Sequence, residues 1–436
     1  MADREPRPGP GGHSDHEPTP PAPSTSRARV SRRAFLVGGA AAGAVAVAGA
    51  GGAWAGRATA PATGAAPSGT VTPAALHGDL RVPFHGPRQA GVETPPQAYL
   101  TLVALNLAPG TDRDALVRLM RIWTDDVVRL TQGRPGLTDT EPELAEVPAR
   151  LTVTVGYGPA VFTAAGLDDR RPDWLRPLPA FAVDRLEDRW NDGDLVLQVC
   201  ADDEVTVSHA VRMLLREARD LASVRWLQKG FRRSVGSEPA GRTMRNLMGQ
   251  IDGTRNVDLV TDAPLVWSDG TDGWLAGGTS MVVRRIRMEL DTWDEVDRST
   301  REAVMGRRLA DGAPLTGEKE HDEPDLEAVG PHGLTVIGPA AHVRRARTSD
   351  PAERFLRRAY SYDDAPDVAT DPGALSSSGL VFVTFQADVD RQFVPVQRRL
   401  DEVDLLNEWT TPVGSAVFAV PPGCAEGEFL GQPLLG

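Results

Sequence analysis

The sequence predicts an α+β fold built from two ferredoxin-like units with antiparallel sheets, arranged in the manner of a dimeric α+β barrel. Three observations support this prediction. From residue 98 onwards, strand-like apolar runs are interleaved with helix-like segments. Their order in the first half is βαββαβ, which is the ferredoxin-like order. The second half repeats part of that order, and 436 residues are more than one ordinary core holds.

The first unit is predicted at residues 96–240. Its first helix has apolar residues at three- and four-residue steps, among them Leu116, Leu119 and Trp123, and Thr111 or Asp112 can cap it. Its second helix opens on acidic residues, which suits the positive end of the helix dipole. The predicted strands are 98–107, 150–158, 194–203 and 223–231, and the predicted helices are 111–130 and 203–221.

The second unit is predicted at residues 241–436. Its predicted strands are 279–290, 379–388 and 414–423, and its predicted helices are 291–307 and 389–403. About seventy residues separate the first of these helices from the next strand, far more than the usual connection. Because a long insert in a compact domain is usually functional, we expect this segment to carry part of the site.

The first 55 residues are predicted to be a disordered head and an export signal. Residues 1–29 are rich in Pro, Gly, Ser and His, a composition typical of disorder. Arg32 and Arg33 precede an uncharged run of Ala and Gly, and a small-x-small cleavage site follows at residues 53–55. This pattern predicts twin-arginine export, to the periplasm, the cell surface or the medium. A membrane anchor is the alternative, and residues 56–95 read as a linker and N-terminal extension.

Charge and cysteine content narrow the function classes. A net charge of -13 argues against a nucleic-acid partner. The two cysteines, Cys200 and Cys424, are too few for a disulfide framework or a Cys-rich metal site. They can form one bridge, but Cys200 lies in an apolar strand-like run, where a buried thiol is favoured.

One carboxylate, Asp252, stands just before the second glycine of the stretch Gly249-Gln250-Ile251-Asp252-Gly253. An aspartate in such a turn commonly caps backbone N–H groups, and the residues alone favour that interpretation. The alternative is a catalytic carboxylate, which a glycine-containing turn can bring close to a bound group.

One histidine, His342, lies in the long insert among many arginines. Arginines follow it at positions 344, 345, 347, 354, 357 and 358. An exposed basic loop is one interpretation. The other is haem, whose two carboxylates suit arginine and whose iron suits an imidazole. The sequence contains no Cys-x-x-Cys-His, which excludes a covalently attached c-type haem.

These residues together resemble the dye-decolorising peroxidases. The motif G-x-x-D-G of that family is matched at residues 249–253. Further matching stretches are 82–97, 193–203, 342–346, 355–364, 382–400 and 406–423. The resemblance covers nearly all of the chain after the predicted signal. It implies a peroxidase with non-covalent haem b in the second unit, which uses hydrogen peroxide to oxidise organic donors such as dyes and phenols.

The resemblance also implies roles for individual residues. Asp252 would move a proton of hydrogen peroxide, and Arg357, or its neighbour Arg358, would stabilise the charge that develops. His342 would be the proximal ligand of the haem iron, with Asp388 as the expected acceptor for its other ring nitrogen. Further contacts to the haem are expected from Arg344, which would pair with a propionate, and from Gly253, Thr254 and Phe385.

A second function is compatible with the same resemblance. Some exported relatives are associated with iron acquisition, in which a deferrochelatase-like protein releases iron from haem within an iron-uptake system. The partners expected from the sequence are therefore hydrogen peroxide and an organic electron donor, with iron-uptake proteins and a homodimer as further alternatives.

Overall fold

The computed structural model describes residues 76–271, 273–366 and 372–436. The predicted head and export signal, and residues 56–75 of the predicted linker and extension, lie outside these ranges. Nine strands are present among the described residues: β1 Tyr99–Leu107, β2 Thr152–Tyr157, β3 Leu195–Ala201, β4 Ala222–Phe231, β5 Thr279–Met288, β6 Leu356–Arg357, β7 Tyr360–Asp364, β8 Ser377–Gln386 and β9 Thr410–Val420.

The described ranges also contain nine α-helices, several of them single turns. They are α1 Arg113–Leu130, α2 Pro159–Ala165, α3 Glu204–Ala218, α4 Ala263–Val266, α5 Leu290–Trp293, α6 Arg298–Met305, α7 His342–Ala346, α8 Val394–Val403 and α9 Gln432–Leu435. The predicted cap of α1 is Asp112, whose side chain accepts a hydrogen bond of 2.8 Å from the Ala115 backbone N–H. Asp203 caps α3 in the same way.

Both halves of the sheet follow the ferredoxin-like strand order. In the first half the order is β2-β3-β1-β4, and all pairings are antiparallel. In the second half, β5, β7, β8 and β9 are the first to fourth strands. Their order in the sheet, β7-β8-β5-β9, is therefore second-third-first-fourth, as in the first half. The predicted fold class is therefore confirmed. The sequence prediction lacked two strands of the second unit, β6 and β7, because both lie inside the long insert.

The two half-sheets join into one ring. Tyr157 of β2 pairs with Ala419 of β9, and Phe231 of β4 pairs with Ser361 of β7. The β5–β8 pairing completes the circuit. β6 lies in line with β7 along the same edge of β8, since its residues pair with the next positions of that strand. A closed ring leaves few unpaired strand edges.

Because side chains alternate between the two faces of each strand, the sheet contributes to two separate hydrophobic cores. Leu100 and Leu102 of β1 belong to a cluster that also contains Met281 of β5 and Phe418 of β9, so residues from both halves fill the interior of the ring. The opposite face of β1, with Val103, packs against buried side chains of α1 and α3. The ring is thus covered by helices outside and filled by side chains inside.

Two predicted helices differ in detail from the structure. The segment 291–307 forms two short helices, α5 and α6, because Asp297 accepts a hydrogen bond from the Thr300 backbone N–H and starts a new helix there. The segment 389–403 begins with one π-helical turn, Val389–Phe393, before α8. Such turns often occur at functional sites.

Two further expectations concern the cysteines and the membrane. Cys200 and Cys424 are both buried free thiols, so the one bridge that the sequence left open is not formed. Within the described ranges, no helix combines the length and the apolar character that a bilayer crossing requires.

Two carboxyl groups meet between helices of the first unit. Asp126 lies on α1 and is buried, and Glu217 lies on α3. Burial raises the pKa of Glu217 to about 8, and the hydrogen bond and charge of Asp126 act in the same direction. The Glu217 carboxyl therefore keeps its proton in the folded protein near neutral pH.

This pair predicts a pH-dependent stability. A pKa that is higher in the folded than in the unfolded chain stabilises the fold at low pH, and the contribution is lost as the pH rises from about 4.5 to about 8. We expect the free energy of unfolding to decline over that window and Glu217→Gln to flatten the decline. Urea denaturation at several pH values measures this. Glu143→Gln, at an exposed carboxylate, is the control, and equal slopes in all three proteins would contradict the prediction.

Candidate active site

A large cavity lies on the outer face of the second half-sheet and is also lined by residues of α7 and α8. Its volume is about 340 Å³, within the range of roughly 300–1,000 Å³ typical of ligand pockets. Its walls are mainly apolar, and the apolar side chains that line it include Met248, Ile286, Met288, Val343, Phe355, Leu380, Phe382, Phe393, Val396 and Leu400. The polar side chains in this apolar setting are the candidates for chemistry.

Asp252 is brought to the cavity by a tight turn. Gly249 and Gly253 have φ angles of 82° and 127°, which side-chain-bearing residues rarely adopt. The backbone N–H of Asp252 donates to the Met244 carbonyl over 2.8 Å. Arg245 braces the turn from outside, since its guanidinium donates to the carbonyls of Gly249 and Leu309. Two glycines and one arginine therefore hold this carboxylate in place.

Arg357 forms an ion pair with Asp252 in the cavity. Its Nη2 donates to Asp252 Oδ1. The Arg357 backbone is fixed by Asn256, whose amide oxygen accepts from the Arg357 N–H and whose amide nitrogen donates to the Arg357 carbonyl, both over 2.8 Å. The Nε of Arg357 is buried and has no hydrogen-bond partner among the described residues. Buried donors are rarely left unpaired, so this nitrogen is a donor available to a bound group.

Arg358, the alternative to Arg357, is directed away from the cavity. It is fully buried and donates to the Thr94 carbonyl and to Gln97 Oε1. Adjacent residues of a strand face opposite sides of a sheet, which is why only one of the two arginines reaches Asp252.

His342 begins α7 and lines the same cavity. Its Nδ1 is 2.6 Å from Asp404 Oδ2. Asp404 is buried and also accepts a hydrogen bond of 3.0 Å from the Leu406 N–H. The backbone of the two segments is joined as well, since the Leu405 N–H donates to the Ala340 carbonyl. The ring orientation is therefore fixed, with Nε2 as the nitrogen left for a ligand.

The carboxylate of Asp404 controls the charge of this imidazole. Burial acts to lower the pKa of His342, but the negative charge of Asp404 and its hydrogen bond outweigh burial and raise the pKa above its usual value. A carboxylate that accepts from one ring nitrogen makes the other nitrogen a more basic ligand.

The remaining predicted site residues divide into two groups. Gly253 and Thr254 line the cavity. Phe385 does not: it lies in the interior of the ring, while Phe382 from the opposite face of β8 lines the cavity. Arg344 does not line it either, because its guanidinium donates to the carbonyls of Leu326 and Ile337.

Asp388 is not the partner of His342. It caps the π-helical turn, where its side chain accepts from the Arg391 N–H. Asp404 takes the role instead, and no local pattern indicates this pairing because Asp404 lies sixty-two positions after His342. Arg347 and Arg354 line the cavity where Arg344 was expected.

Family profiles match this chain in both halves. Residues 89–232 match the profile described as Dyp-type peroxidase, N-terminal, and residues 243–425 match Dyp-type peroxidase, C-terminal. The chain is 40% identical over 365 residues to the dye-decolorizing peroxidase of Thermobifida fusca, which covers 80% of this chain and 83% of that protein.

The chain belongs to the dye-decolorising peroxidase family.

Two further similarities bear on function. A deferrochelatase of Yersinia pestis is 37% identical over 375 residues, covering 81% of this chain and 84% of that protein. The crystal structure of the DyP-type peroxidase from Cellulomonas bogoriensis is 64% identical, with a TM-score of 0.81, and covers 83% of this chain and 99% of that one. The protein is thus a haem-dependent dye-decolorising peroxidase, which uses hydrogen peroxide to oxidise an organic donor.

Proposed function

We propose that Asp252, Arg357 and His342 carry the peroxidase reaction. The observation that supports this is their shared cavity: an ion-paired carboxylate and guanidinium and a carboxylate-oriented imidazole open into one apolar space. Asp252 is the acid–base group, Arg357 the electrostatic stabiliser and His342 the iron ligand. Each has the chemistry that its role requires.

The described residues fit a haem. The apolar walls suit a porphyrin, the Nε2 of His342 suits its iron, and the buried Nε of Arg357, a residue that lines the cavity, is a donor without a partner among the described residues. Arg347 and Arg354 line the same cavity and suit the two propionates. Gly253 and Thr254 would contact the haem. When bound, haem would supply an iron that binds peroxide and is oxidised by it.

Asp252 is suited to act first as a base and then as an acid on the same proton. Hydrogen peroxide must lose a proton from one oxygen and gain one on the other, which leaves as water. A single positioned carboxylate can accept the first proton and return it to the second oxygen. Asn246 Nδ2 lies 3.4 Å from Asp252 Oδ2, so the carboxylate is anchored but not saturated with donors.

Arg357 places a positive charge in the cavity, where it can stabilise the negative charge that develops on the departing oxygen. A guanidinium remains protonated at any working pH and carries several fixed donors. Its Nη2 is used by Asp252, while its Nε has no partner among the described residues. A fixed donor in a water-poor cavity stabilises a developing negative charge without reorganisation.

The pair of His342 and Asp404 predicts the effect of one substitution. Asp404→Asn removes the charge and keeps one acceptor oxygen, which can serve His342 Nδ1 or the Leu406 N–H but not both, since the carboxylate uses a different oxygen for each. We expect haem affinity to fall about 10- to 100-fold, and the midpoint potential of the bound iron to rise. Haem titration of the apo-protein and a potentiometric titration measure the two effects.

A second variant distinguishes the effect of losing the Asp404 charge from the effect of losing its hydrogen bond with the Leu406 N–H. Asp404→Ala also removes the acceptor for Leu406 and should cost about 1 kcal/mol of stability. A potential that is unchanged in Asp404→Asn would show that the carboxylate does not tune the iron ligand.

The iron-release function is the alternative, since a deferrochelatase is among the relatives. The two activities differ in their reagents. With hydrogen peroxide and a dye or a phenol, a peroxidase consumes the donor; under reducing conditions without peroxide, an iron-releasing protein yields free iron and intact porphyrin. We expect the first reaction to proceed and the second not to. Release of iron with no donor oxidation would overturn the assignment and would favour partners in iron uptake.

The proposed setting is outside the cytoplasm. The arginine pair Arg32 and Arg33, the Ala/Gly run and the small-x-small site support export by the twin-arginine route. Fractionation of cells that express the full chain, compared with a variant carrying lysine at both arginine positions, tests this. Retention of both proteins in the cytoplasm would contradict it. A homodimer stays a prediction.

A further inference from the structure

A second cavity lies behind the Asp252 turn. Its volume is about 130 Å³, and it is lined by residues that precede β1, by Asp202 and by the segment after β4. Four of its side chains are arginines: Arg232, Arg233, Arg242 and Arg245. Two are carboxylates, Asp202 and Glu238.

The two carboxylates are already used by other cations. Asp202 is buried and pairs with Arg150 Nη1 at 3.0 Å and His77 Nε2 at 2.8 Å. It also accepts from the Ala98 N–H. Glu238 lies 3.6 Å from Arg233. Neither is therefore free to neutralise the remaining arginines.

Two arginines of the cavity lack an anionic partner among the described residues. Arg232 donates only its Nε, to the Ala359 carbonyl over 2.8 Å, and its guanidinium stacks 4.8 Å from the Tyr360 ring centroid. Burial lowers the pKa of Arg232, which reflects a cation held out of water. Arg242 is exposed and forms no hydrogen bond or ion pair with any part of the described chain. Arg245 is occupied by backbone carbonyls.

We propose that this cavity binds one small oxyanion, of the size of phosphate or a short carboxylate, between Arg232 and Arg242. Guanidinium groups present paired donors that match the oxygens of such anions. A water occupies about 30 Å³ of liquid, so the cavity has room for an anion of this size. The anion supplies the negative charge that the described residues do not provide to these two arginines.

An anion in this cavity lies within electrostatic reach of the active site. Met244 lines the cavity, and its carbonyl accepts from the Asp252 N–H over 2.8 Å. Asp252 is also among the charges that act on Arg232. An anion that neutralises Arg232 removes part of the positive field at the Asp252 carboxylate. The reaction with peroxide should therefore respond to anions. This consequence rests on the role proposed for Asp252, whereas the binding itself does not.

Calorimetric titration of the haem-loaded protein with inorganic phosphate tests the site, with sodium acetate as the carboxylate probe. We expect one saturable phosphate site, weakened at least tenfold in Arg242→Gln because one charged donor is lost. Arg219→Gln is the control, since Arg219 is also exposed but follows α3, before the opposite end of β4, and has only an exposed ion pair with Asp220. An unchanged Soret band in both variants shows that the fold is retained.

Two results would overturn the proposal: no saturable phosphate or acetate binding, or equal phosphate affinity in wild type and Arg242→Gln. The rate with peroxide, measured with and without saturating phosphate, tests the coupling separately. We expect phosphate to change the rate in wild type and in Arg219→Gln, and at least tenfold more phosphate to be needed for the same change in Arg242→Gln. Binding without any change in rate would contradict the coupling to Asp252.

Discussion

His342→Ala is expected to abolish the Soret band of the purified protein or to convert it to that of an unligated haem. The imidazole is the ligand that the cavity offers to the iron, and Asp404 fixes its orientation. Without it, haem would be held by apolar contacts and by arginines alone. We expect haem to be lost on gel filtration, and peroxidase turnover to be lost with it. The visible spectrum, before and after one equivalent of peroxide, measures both.

Two controls make this result specific. His332→Ala changes an exposed histidine of the same insert and should leave the spectrum unchanged. Free imidazole added to His342→Ala should restore a ligated spectrum in part, because the substitution leaves a space that a small ring can enter. An unaltered spectrum of His342→Ala would show that another residue binds the iron.

Arg357→Leu is expected to bind haem normally but to react with peroxide at least about 100-fold more slowly, the scale found when one preorganised donor is removed from an active site. Leucine fits the apolar side of the cavity beside Phe382 but offers no donor. It also leaves Asp252 without its ion-pair partner. Stopped-flow absorbance after mixing with peroxide measures the rate, and the resting spectrum reports haem occupancy.

The comparison variants separate charge from donor geometry. Arg357→Lys keeps the charge but loses the fork of donors, and its rate should lie between those of wild type and Arg357→Leu. Arg398→Leu, on the exposed side of α8, should react like wild type. If Arg357→Leu kept a near-wild-type rate, Arg357 would have no part in the reaction, and Asp252→Asn would then test whether the carboxylate acts alone.

The alternation of side chains along a strand explains why Phe385 was wrongly predicted to line the haem site. Phe385 and Phe382 lie on the same strand, but an odd separation of three residues places them on opposite faces. From the sequence both are aromatic residues in an apolar run; the structure puts one in the core and the other in the cavity. The same alternation separates Arg357 from Arg358.

Contacts between distant segments were also beyond prediction. Asp388 and Asp404 flank the same helical segment, Val389–Val403, and both cap a following turn. The choice between them depends on which end of that segment lies against α7, and local patterns contain no such information. The pairing of β7 is likewise non-local, since its partners β4 and β8 come from different halves of the chain.

The sequence by itself determined the fold class, the two repeated units and the G-x-x-D-G turn, and its resemblance to a known family identified Asp252, Arg357 and His342 as candidates. The first three features depend on local periodicity, caps and motifs, which neighbouring residues specify. The tertiary structure decided that the ring closes, that Asp404 orients His342 and that Phe382 faces the cavity. Those features depend on packing between segments far apart in the chain, where the free energy of burial, and not local preference, selects the partner.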